Sequence, residues 1–152
     1  MKARTTLLIL ALCFTALAVS FAADNPHMGT WKLNEAKSKF IPGAAKNSTV
    51  VYEAVGDQIK VTVDGVDANG KPTHNEWTGK FDGKDYPLTG DPDADTRSYK
   101  KIDARTMELT NKKDGKVVAN ARIVVSADGK TRTVTLTAAG KKVHSTAVYD
   151  KA

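Results

Sequence analysis

The chain has 152 residues, 26% of them charged, with a formal net charge of +6. That length supports one domain with a core of its own. The basic residues are scattered, their densest clusters being pairs such as Lys100-Lys101, Lys112-Lys113 and Lys141-Lys142, so the concentrated patch with interleaved aromatics that nucleic-acid binding favours is missing and no such partner is expected.

The first segment reads as a targeting signal. Lys2 and Arg4 form a positive start, Thr5 to Phe21 is an apolar run, and Ser20-Phe21-Ala22 places small residues at a cleavage site after Ala22. This is the pattern of a secretory signal peptide of bacterial style over 1–22, and the apolar run is short for a membrane anchor. Cleavage would leave residues 23–152 as the mature domain, with no integral membrane span and a location in the periplasm or outside the cell. Cys13 is the only cysteine. Its loss leaves no disulfide, thiol nucleophile or Cys metal ligand. Removing Lys2 and Arg4 lowers the formal charge from +6 to +4.

The mature chain opens with "GTWKL", a first strand from Gly29. "NEAKSKF" follows as a short helix, with Asn34 as its cap and Pro42-Gly43 as its stop. From Lys46 onward the pattern is repetitive. "NSTVVYEAV", "QIKVTVDGV", "THNEWTGKF", "KDYPLT", "DTRSYKKI", "RTMELTNK", "KVVANARIVVS", "TRTVTLTA" and "KVHSTAVYDK" are separated by Gly, Asn or Asp turns, the residues that accept positive φ. The period is two. Ile59, Val61 and Val63 alternate with polar neighbours, as do Val134, Leu136 and Ala138. Val117, Ala119, Ala121, Ile123 and Val125 form an apolar face with Arg122 opposite. Ten consecutive short strands without helical crossovers must hide their edges. The expected fold is all-β: a single antiparallel up-and-down β-barrel of about 8–10 strands, with a sandwich as the alternative.

Gly29-x-Trp31 at the start of such a chain resembles the opening of the calycins, the lipocalins and fatty-acid-binding proteins, and the whole mature chain is similar to small bacterial exported lipocalin-like proteins. The resemblance implies that Trp31 plugs the closed end, with Gly29 and Trp31 in structural roles. The fatty-acid-binding branch adds a Lys-x-Asp-Gly turn with an Arg eight residues beyond the Asp, and an Arg-x-Tyr-Glu-Lys ending. Lys112-Lys113-Asp114-Gly115 followed by Arg122, and Ala147-Val148-Tyr149-Asp150-Lys151, match this in part. The resemblance thus implies Arg122 and Tyr149 as carboxylate-binding residues. Ala147 replaces the third member, and the parity of Arg122 aims it at solvent if the apolar face lines the barrel. Trp77 and Tyr99 complete the candidate ligand-binding set as walls.

Other motifs carry less. "GVDANGKP" has Pro72 where a phosphate-binding loop needs Ser or Thr. Asp91, Asp93 and Asp95 read as an acidic turn stiffened by Pro92, with calcium as the alternative. His27, His74 and His144 show no convergence expected of a zinc site. No Ser lies in a nucleophile elbow. The expectation is therefore a monomeric binding protein, not an enzyme, with no cofactor, metal or catalytic residue, holding a small apolar or amphipathic molecule. The alternative is a filled barrel that uses its outer surface as an envelope interaction module, binding a protein or inhibiting a protease.

Overall fold

The computed structural model describes residues 25–140 and 142–152. The signal peptide assigned to 1–22 lies outside the described residues. The strands are β1 (Gly29–Leu33), β2 (Lys39–Phe40), β3 (Lys46–Val55), β4 (Gln58–Val66), β5 (Pro72–Gly79), β6 (Tyr86–Thr89), β7 (Thr96–Lys101), β8 (Thr106–Lys113), β9 (Lys116–Val125), β10 (Thr131–Ala138) and β11 (Val143–Lys151). Ten of them, β1 and β3 to β11, form a closed antiparallel cylinder in chain order, sealed where Trp31 pairs with Lys151 and Leu33 with Tyr149. Closure leaves no free edge around the ring, the solution the strand-rich pattern demands. No helix among the described residues is long and apolar enough to cross a membrane.

The helical segment after β1 is a single 3-10 turn, Glu35–Lys37. Asn34 caps it as its side chain suggests, accepting from the Lys37 amide at 3.2 Å. The remainder of "NEAKSKF" does not continue the helix, because the chain returns to the edge of β11. There Lys39 and Phe40 pair with Thr146 and Ser145. Ser38 bridges the excursion: its hydroxyl accepts from the Val148 amide at 2.9 Å and donates to the Asn34 carbonyl at 2.7 Å. Those two bonds satisfy backbone groups that a longer helix would strand.

Turn chemistry sets the hairpins. Asp114 and Gly115 both have positive φ, +48° and +77°, between paired Lys113 and Lys116. This is the two-residue mirror-image turn whose twist matches that of the flanking strands. Alternation then sorts the side chains. Val61 and Val63 are buried, and Ile59 packs against the same core. One departure falls in β9. Asn111 pairs with Ala119 and Lys112 with Val117, leaving Val118 as an extra residue. This bulge reverses the alternation. Val118 packs on the core while Val117 is 42% exposed, so the apolar face expected to begin at Val117 begins one residue later.

One part of the interior is filled by aromatics. Trp77 lies edge-on to Tyr99 and Tyr86 and stacks on Phe81, with ring centroids 4.7, 5.7 and 6.3 Å away. Tyr52 meets Phe81 and Tyr99 edge-on. Such pairs add about 0.5–1.5 kcal/mol each beyond the area they bury.

Candidate functional site

The site develops where the first and last strands meet. Gly29 opens β1 with φ of +100°, and Trp31 follows at 0% exposure. The Trp31 indole N–H donates to the His27 carbonyl at 2.8 Å. His27 is itself buried, and neither ring nitrogen has a hydrogen-bond partner among the described residues. Burial, followed by the nearby charges of Arg132, Lys101 and Lys151, pushes its imidazole down to about 4, so it is neutral at pH 7.

Tyr149 points inward from β11. Its hydroxyl donates to the Asn47 carbonyl at 3.0 Å, tying β11 to β3. Burial pushes this phenol up to about 12. Trp77 is buried in β5, with its indole N–H on the Arg97 carbonyl at 2.8 Å. Tyr99 is buried on β7, and burial, then the neighbouring Tyr52, raises its hydroxyl further. Tyr149 and Tyr99 both line the central cavity, and Trp77 stands behind Tyr99 in the aromatic cluster.

Arg122 corrects the expectation drawn from the fatty-acid-binding branch. Its side chain is on the outer face, 3.4 Å from Glu108, its cross-strand partner on β8. Ala121 and Ile123 are the buried residues here, and alternation sends the intervening guanidinium to water. The turn at Asp114-Gly115 forms, but the Arg eight residues beyond the Asp does not enter the barrel. His74 is also external, 2.6 Å from Asp64 and 3.4 Å from Glu76.

Two other arginines are inside. Arg97, on β7, is buried; its Nε donates to the Asn111 side-chain oxygen at 2.7 Å and its Nη1 to that of Asn75 at 3.4 Å. Arg132, on β10, is 2% exposed. Its guanidinium carbon lies 5.2 Å from the Trp31 ring, 5.1 Å from Tyr52 and 4.8 Å from Tyr149. Three strands thus build an aromatic cage around a cation supplied by a fourth. Its Nε and Nη1 have no hydrogen-bond partner among the described residues.

The sequence carried a signal for both. Arg132 shares the parity of Val134 and Leu136, and Arg97 that of Tyr99. A charged residue on an apolar face is the mark of a buried polar site, and here it was absorbed into the general surface charge.

Both arginines border a cavity of about 110 Å³ inside the barrel. Val50, Ile123 and Ala147 supply apolar wall, and Asn111 supplies a further polar end. Replacing Tyr149 by Phe should cost about 1 kcal/mol, the usual loss for a single hydrogen bond, because the Asn47 carbonyl loses its donor. Urea unfolding of the two proteins checks this. An unchanged midpoint would show that the hydroxyl does not tie β11 to β3.

No protein-family model matches the chain, and no curated protein matches it. Among solved structures it is similar to a redesigned β-barrel, mFAP1, bound to DFHBI, with 14% identity and a TM-score of 0.42 over 86% of this chain and 99% of that one.

Proposed function

We propose that the protein is an exported, calycin-like barrel that holds one small amphipathic molecule in its interior. The observation that carries this reading is the cavity itself, where apolar side chains form the wall and a few polar ends converge, as in small-molecule sites generally. The burial of Trp31 near the start of the first strand, as one ring of the cage, supports the calycin comparison. The composition of residues 1–22 supports export to the periplasm or beyond. That one chain closes the cylinder alone supports a monomer. In this reading Tyr149 and Tyr99 are wall residues, Trp77 backs Tyr99, and Arg132 takes the place first given to Arg122.

The filled-barrel reading rests on the size of that cavity. A cavity of about 110 Å³ lies below the roughly 300–1,000 Å³ of pockets that take drug-sized ligands. A barrel with so little free volume would work through its outer surface. Native mass spectrometry of the protein purified gently from its own host, with extraction of anything bound, separates the two. A near-stoichiometric small molecule supports interior binding. A clean mass, together with co-purification of a protein partner, supports the surface module and rejects the interior site.

A further inference from the structure

Among the described residues, the barrel interior holds cations and no anion. Among the described residues the buried polar and charged side chains are His27, Arg97, Ser98, Thr106, Arg132 and Ser145, with no Asp or Glu. Neither Arg97 nor Arg132 makes a salt bridge to any described residue; the ion pairs lie elsewhere on the molecule, as in Arg122–Glu108 and Lys46–Glu35. A buried charge is strongly unfavourable without a counter-charge and a full set of hydrogen bonds. Arg97 is partly served by two amide oxygens. Arg132 is not: its aromatic neighbours offer π faces to the charge but no conventional acceptor for Nε and Nη1. His27, whose carbonyl accepts from the Trp31 ring of the cage, is neutral at pH 7 and supplies no negative charge.

From this imbalance we infer that the interior ligand is a small monoanion, a short carboxylate whose oxygens accept from Arg132 and whose apolar end lies against Val50, Ile123 and Ala147. The inference rests on the interior-binding reading above and names its ligand class. One unserved cation calls for one negative charge, and charge-assisted hydrogen bonds from Arg to carboxylate are about twice as strong as neutral ones. Size sets the other limit. An engineered apolar cavity of about 150 Å³ holds benzene, so a cavity of about 110 Å³ takes a ligand of only a few heavy atoms. A long acyl chain does not fit this volume.

The test is titration of the isotope-labelled protein by NMR with butyrate, its neutral counterpart butyramide, and palmitate. The indole N–H of Trp31, against the Arg132 cage, is the reporter. Butyrate is expected to shift it saturably and to bind at least about tenfold tighter than butyramide, and palmitate to bind more weakly than butyrate. Arg132→Gln should erase the preference for butyrate. Should that variant not fold, the comparison of butyrate with butyramide on the unaltered protein decides alone. Equal binding of butyrate and butyramide leaves interior binding standing and overturns the anion assignment. Palmitate binding as tightly as butyrate overturns the size limit. A folded Arg132→Gln that keeps the preference overturns the role of Arg132. No saturable binding of any of the three removes the interior-binding reading and this inference with it.

Discussion

Trp31→Ala should lower the free energy of unfolding by about 3–5 kcal/mol, the cost of deleting a large buried aromatic and leaving its cavity. Trp31 is at 0% exposure on the strand that closes the ring, so its loss is felt at the seam between β1 and β11. Two further penalties follow from its neighbours. The His27 carbonyl loses the indole N–H at 2.8 Å. Arg132 loses one of the three rings that surround its charge. With urea slopes of about 1–3 kcal/mol per molar for small proteins, the unfolding midpoint should fall by roughly 1–5 M. A shift near zero would show that Trp31 does not hold this end of the barrel together.

Acid should also loosen that end, through His27. Its folded value is pushed down to about 4 by burial, then by Arg132, Lys101 and Lys151, with Asp103 opposing. The unfolded chain therefore takes up the proton first as pH falls below the ordinary value of about 6.5, and stability drops between about pH 6.5 and 4. Above that window His27 is neutral in both states and contributes no pH dependence. The expected loss across the window is about 1–3 kcal/mol. His74 acts in the opposite sense: its hydrogen bond to Asp64, then that to Glu76, raises its value, so its stabilisation is present at low pH and is lost as pH rises through the folded value. Urea unfolding at pH 7.5, 6 and 4.5 for the natural protein and for His27→Gln isolates the buried group. The variant should show a shallower decline. Parallel declines would place the acid sensitivity in the surface carboxylates instead.

The local half of this structure was legible from residues alone. Alternation in β4 and β10 places Val61, Val63, Val134 and Leu136 on inward faces, and Gly, Asn and Asp turns separate the ten main strands. Both signals are short-range, since a strand's period and a turn's φ depend on a few neighbouring residues. Asn34 as a cap and Trp31 at the head of the first strand belong to the same class.

Tertiary structure decided the rest. The bulge at Val118 follows from how β8 and β9 pair, which parity along β9 alone cannot show. The short return of Lys39 and Phe40 follows from the stretch of β11 at Ser145 and Thr146 that β1, paired only with residues 149–151, does not reach, visible only once the barrel is closed. The site belongs to this second class. Trp31, Tyr52, Arg132 and Tyr149 come from β1, β3, β10 and β11, and they meet because the first strand pairs with the last. By its own residues the sequence determined a run of about 8–10 antiparallel strands, their hairpin order and the inward faces of β4 and β10. Ring closure placed Arg132 against three aromatic rings, with no carboxylate among the described residues paired to it, and left Arg122 outside with one, because long-range register, not local period, decides which side chains share the interior.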